Sequence, residues 1–154
     1  SIGTQDNTYE FPYHYGEEAE SYSFYRVPKV LFTNTQFKSL SCEAKLLYGL
    51  LLDRMQLSIK NRWLDEEGKV YIYFSQEQIS GMMGCGLKKV GNLLAELDSR
   101  KGIGLITRIR QGLGRPDRIY VRKCTQQDMY KRNIQTRQND ICKEKASAGD
   151  FQVA

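Results

Sequence analysis

Histidine is almost missing from this chain: His14 is the single one among 154 residues. The four cysteines, Cys42, Cys85, Cys124 and Cys142, are scattered without C-x-x-C spacing and lie far from it. A zinc site therefore lacks its ligands, and reduced, unpaired thiols are the expected state. The ten tyrosines superficially suit a relaxase or recombinase. A relaxase needs a histidine metal cluster beside its tyrosine, so the tyrosines are assigned to packing, and neither catalysis nor a cofactor is expected. No apolar run approaches the roughly 20 residues that cross a bilayer. No charged-then-apolar leader opens the chain, which sets the expectation of a cytoplasmic protein without membrane contact.

What the chain does carry is concentrated between Phe74 and Arg122. Ser75-Gln76-Glu77-Gln78 has the form of a capping box, in which Ser75 accepts from the backbone at Gln78 while the Gln78 side chain reaches back. Ile79, Met82 and Met83 supply an apolar face, and Gly84-Cys85-Gly86 breaks the helix with residues that tolerate positive φ. Leu87, Val90, Leu93, Leu94 and Leu97 then recur at helical spacing. This is a helix-turn-helix pattern. Its second helix leaves Lys88, Lys89, Asn92 and Ala95 nearer solvent, the first three in the N-terminal half, where a recognition helix meets the major groove. Lysine suits phosphate or the guanine edge, and asparagine pairs bidentately with adenine.

Two lysines on a helix face are ordinary, so the continuation carries more weight. Gly102-Ile103-Gly104 is expected to end the helix. Leu105–Arg110 and Arg118–Arg122 alternate as strands, joined by the glycine-rich Gln111-Gly112-Leu113-Gly114-Arg115-Pro116-Asp117. Arg108 and Arg110 share one face of the first strand, Arg118 and Arg122 share one face of the second, and Arg115 sits at the tip. Such a ribbon can follow a phosphate backbone or push Arg115 into a minor groove. The expected fold class is α+β, a winged helix-turn-helix with a helical core, a small antiparallel sheet and a β-hairpin wing.

Charge follows the same division. Residues 1–100 hold 11 Lys/Arg against 13 Asp/Glu, a formal −2, whereas residues 101–154 hold 12 against 5, a formal +7. Positive charge gathered on one element is the footprint of a nucleic-acid binder. A membrane-surface helix would need bulky apolar residues that the tail after Thr125 lacks.

Three segments are expected: a flexible arm over 1–21, a winged-helix domain over 22–124, and a polar, basic tail or short helix over 125–154. The arm could dock through Tyr9, Phe11, Tyr13 or Tyr15. Tyr22, Phe24 and Phe32 are read as core, with a dimer interface as the alternative, and Pro28 argues against a central strand nearby. Ser41 caps a helix from Cys42 to about Gln56 with Ala44, Leu47, Tyr48, Leu51 and Met55 inward. Trp63 is read as packing, Asp65-Glu66-Glu67-Gly68 as a solvated turn, and Val70–Phe74 as a strand completing the sheet.

Tyr25-Arg26-Val27-Pro28, Lys38-Ser39-Leu40-Ser41, the run Ala44–Met55 and the wing Arg110–Pro116 resemble the N-terminal domain of RepA_N-type replication initiators over about Tyr22–Arg122. That resemblance implies an initiator of a plasmid or integrative element whose winged helix binds repeated double-stranded origin sequences as a homodimer, followed by recruitment of host replication proteins. It places DNA reading on Lys88, Lys89 and Asn92 and the wing role on Arg110, Gly112, Gly114 and Arg115. Ser75 and Gln76 are expected to hold phosphate, with Arg108 and Arg118 on the ribbon. Gly86 departs from the Ser or Thr expected as cap of the recognition helix. Larger members continue into a C-terminal domain, so this chain reads as an N-terminal part or a short member. The alternatives are a winged-helix transcriptional regulator and a winged-helix protein-interaction module that never touches DNA.

Overall fold

Residues 10–16, 22–125 and 141–146 are described in the computed structural model. Helix α1 (Val30–Thr33) and a 3-10 turn (Thr35–Phe37) lead into the long helix α2 (Cys42–Lys60). Ser41 starts α2 as expected, its Oγ accepting from the Ala44 N–H at 3.1 Å. The helix runs four residues beyond Gln56 before Asn61 closes it through the Ile59 and Leu57 carbonyls. Ala44, Leu47, Tyr48 and Leu51 are buried along one face. On another, Gly49 admits the extended chain at Arg26-Val27, since a Cβ there would meet Val27 at 2.9 Å and the Arg26 carbonyl at 3.1 Å.

Helix α3 (Gln76–Met83) and helix α4 (Leu87–Leu97) form the helix-turn-helix. The capping box at Ser75 and Gln78 is complete in both directions. Gly84 takes the left-handed conformation, φ 69°, that reverses the chain. Gly86 caps α4 with no side-chain bond. Val90, Leu93, Leu94 and Leu97 bury one stripe of α4 against α2 and α3.

Two apolar residues expected inward are exposed. Met82 lies on the flank of α3 away from Ile79 and Met83. Leu87, at the first position of α4, points back over the turn as helical side chains do, and Gly84 and Gly86 offer no side chain to cover it.

Helix α4, expected to end at Gly102, stops earlier. Asp98 is extended and ends it, and the chain turns so tightly that the Gly102 N–H reaches the Asp98 carbonyl at 2.8 Å. A Cβ on Gly102 would overlap the backbone carbonyls of Ala95 and Glu96, which fixes glycine there for a steric reason.

Strands β1 (Ile106–Ile109) and β2 (Arg118–Val121) pair antiparallel, Ile106 opposite Val121 and Ile109 opposite Arg118. Ile106 and Ile119 fall on the inner side and complete the core with Leu105. The expected third strand, Val70–Phe74, is reduced to one bridge: Ile72 exchanges two 2.9 Å hydrogen bonds with Ile119. The reason is local. Leu64 bridges Val70 and the Tyr71 N–H goes to the Trp63 carbonyl, so the first half of the segment pairs with Trp63-Leu64 across the acidic turn.

Tyr22, Phe24 and Phe32 are exposed rather than core. Leu31 and Phe37 fill the space beside α2 instead, and the Phe32 ring lies 4.5 Å from the Lys45 ammonium. In the arm, Phe11, Tyr13 and Tyr15 are exposed, while Tyr9 and the proposed helix at 126–134 lie outside the described residues. The four cysteines are free thiols. Among the described residues no helix is long and apolar enough to cross a membrane.

Candidate nucleic-acid interface

Helix α4 is held to the body at three levels, and these ties decide which of its side chains remain available. Near its start, the Lys89 ammonium lies 2.6 Å from a Glu43 carboxylate oxygen in the first turn of α2. The hydrogen bond and charge of Glu43 raise the Lys89 pKa. Further along, Glu96 grips the N-terminus of α2: one oxygen accepts from the Ser41 backbone N–H at 2.9 Å, the other from the Ser41 hydroxyl at 2.7 Å. At its end, Asp98 accepts from the Arg108 Nε at 2.6 Å and from the Arg100 N–H at 2.9 Å. Burial pushes the Asp98 carboxyl up, but the Arg100 N–H and the Arg108 guanidinium outweigh it and hold the pKa below the ordinary value. Leu87, Lys88, Lys89 and Asn92 are exposed in the N-terminal half of α4, and of its polar side chains there Lys88 and Asn92 carry no tie to the body.

The hairpin register sorts the arginines. Facing residues in an antiparallel pair share a side of the sheet, so Arg108, opposite Ile119, belongs to the inner side, and Arg118, opposite Ile109, to the outer. The two pairs anticipated along the ribbon therefore do not make one stripe. Arg108, with its side chain 21% exposed, is occupied by Asp98, which is 7% exposed. Arg118 lies over the Tyr71 ring at 4.4 Å with its Nε 3.4 Å from the Tyr73 hydroxyl, and Tyr71 also meets Tyr73 and Tyr120 edge-on. Arg110 and Arg115 stand beyond the ladder, exposed.

The wing tip is built from two glycines in the left-handed half of φ space, Gly112 at 111° and Gly114 at 74°, with the Arg115 N–H closing a turn onto the Gly112 carbonyl at 3.3 Å. Between them Leu113 is fully exposed, at 105% of its reference area. Ser75 spends its hydroxyl on the capping box, leaving Gln76 exposed at the start of α3.

Glu43, Glu96 and Asp98 escaped sequence reasoning, because their partners lie 46, 55 and 10 residues away. The one available signal was three acidic residues beside basic or capping positions. Among the described residues no group of His, Cys, Asp and Glu is arranged to hold a metal ion.

Residues 23–136 match the family described as replication initiator protein A (RepA) N-terminus. A Lactobacillus helveticus protein described as a 41 kDa protein is 30% identical over 104 residues, 64% of this chain and 29% of that one. The chain thus spans about three-tenths of the length of that curated relative. A solved N-terminal domain of a DNA-binding protein is 34% identical, with a TM-score of 0.59 over 85% of this chain and 98% of that one. A solved structure of a Rep–DNA complex is 36% identical, with a TM-score of 0.54 over 77% of this chain and 88% of that one. A structure of an MDR initiator is 34% identical, with a TM-score of 0.56 over 74% and 89% of the two chains.

Proposed function

The chain belongs to the RepA_N family, replication initiator protein A N-terminus, and from that premise we propose that it is a sequence-specific binder of double-stranded DNA at a replication origin, starting replication of a plasmid or integrative element. The observation that carries this reading is the N-terminal half of α4, where Lys88 and Asn92 are exposed on a helix fixed to its neighbours by Glu43, Glu96 and Asp98. A recognition helix docks with that half in the major groove.

Asn92 would read an adenine, Lys88 a guanine edge or phosphate, and Arg110 and Arg115 would hold the backbone beside the half-site. Lys89 would join them on release from Glu43. Gln76 and the free N–H groups of the first turn of α3 suit a phosphate. Arg108 is reserved for positioning β1 against the end of α4, and Arg118 for stiffening the sheet through Tyr71 and Tyr73. The module binds without chemistry, in the cytoplasm, as a homodimer on repeated half-sites, and engagement of host replication proteins follows from the same reading.

The test is a salt-series titration against the origin repeats of its own element and a scrambled duplex of equal length. Preference for the repeats, weakening as salt rises, is expected. Asn92→Ala should cost about 1–3 kcal/mol and relax specificity at one position, whereas Arg110→Ala and Arg115→Ala weaken all sequences alike. Equal weak binding to both duplexes sinks the reading and brings a protein-interaction role forward.

A further inference from the structure

Leu113 has no folding role that the structure reveals. It is 105% exposed, it stands between Gly112 and Gly114, where an added Cβ would meet nothing within 4 Å, and it lies outside the β1–β2 ladder, which ends at Ile109 and Arg118. The tip is consequently thin: bare backbone on either side of one branched apolar side chain. Arg110 and Arg115 flank it, both exposed.

A lone leucine is too small a patch to hold a protein partner, and paired arginines would repel a basic one. A slender basic tip with a central apolar residue suits the minor groove of duplex DNA, about 6 Å wide and negative in potential, where arginines bridge towards the two phosphate walls. There the leucine would meet the edges of stacked bases. Leucine is among the side chains that enter between base steps from that groove and kink the duplex.

We propose that Leu113 is an apolar wedge that enters the minor groove beside the half-site and partly unstacks one base step, so that the wing deforms its DNA rather than only gripping it. This rests on the origin-binding reading above. The ligand is a duplex with a deformable step at the wing position, a pyrimidine–purine step being the easiest to open.

The experiment uses the full chain and duplexes carrying the origin repeat, with 2-aminopurine placed in turn at each adenine beside the half-site and a fluorophore pair at the duplex ends. At saturating protein, wild type is expected to raise 2-aminopurine emission at one step and to shorten the end-to-end distance, in line with a kink of about 20–90°. Leu113→Ala should abolish the emission change and lower affinity about three- to tenfold, on the scale of a lost apolar contact. Leu113→Phe, a larger wedge, should retain the emission change. Arg115→Ala should weaken binding yet show the change once saturated. Neither substitution at 113 disturbs a contact within the fold. A saturable preference for the repeats with no emission change at any step, or one unaffected by Leu113→Ala, overturns the wedge and leaves the origin-binding reading standing. Absence of any preference for the repeats overturns that reading and the wedge with it.

Discussion

Lys89 and Glu43 show how a single contact alters the meaning of a basic residue. Both side chains are about half exposed, so the pair contributes little to stability, but it holds one recognition-helix lysine beside a carboxylate. While that pair persists the lysine is withheld from phosphate, and the carboxylate stands beside the recognition surface proposed for α4. Glu43→Gln is therefore expected to tighten binding to specific and scrambled duplexes alike at low salt. It should also steepen the dependence of log K on log salt by about 0.9, the value for one further phosphate contact. Salt titrations of the variant check this, and an unchanged slope would count against Lys89 as a DNA contact. Lys88 and Asn92 were legible from helical spacing alone because exposure on α4 follows directly from which residues it buries. Lys89 looked equivalent in sequence, and only the approach of α2 separates it from Lys88.

At the scale of elements, fold-determining signals that act within a few residues were readable and those that act between elements were not. The Ser75 and Gln78 box, the Ser41 cap and the Gly84 turn each involve near neighbours, and all three appear where the sequence put them. The grip of Glu96 on Ser41 and of Asp98 on Arg108 depends on how α4 lies against α2 and on which face of β1 turns inward. Ser41→Ala removes both a cap and a charge-assisted hydrogen bond, and should destabilise the domain by about 2 kcal/mol in urea unfolding. Arg108→Ala leaves a buried carboxylate with the Arg100 N–H as its remaining partner and should cost about 3 kcal/mol at neutral pH. The sign with pH follows from the lowered Asp98 pKa. The folded state takes up the proton less readily than the unfolded chain, so the stabilisation is complete above an unfolded pKa of about 3.9 and is lost as pH falls through the lower folded value. Urea midpoints of wild type and Arg108→Ala should accordingly converge in acid. A gap that stays constant from pH 7 to pH 3 would mean that the guanidinium acts through packing alone.

Across the whole molecule, charge and rigidity work together. The sequence is formally +7 over residues 101–154 against −2 over residues 1–100, a bias that favours encounter with a polyanion. With Lys88, Arg110 and Arg115 as phosphate contacts, the salt slope for each protomer is expected to be about −3, readable from the same titrations. Helix α4, fastened at Ser41 and Arg108, has its angle to the wing set before any duplex arrives. A protein surface fixed in this way leaves adaptation to its partner, so discrimination among sites extends beyond the bases that side chains touch. Base pairs lying between the helix contact and the wing contact, which no residue reads, should still alter affinity according to how readily they twist and narrow. Two origin repeats identical at every contacted position but differing in that spacer would then be filled in a definite order, with their mechanical properties setting the sequence of occupation.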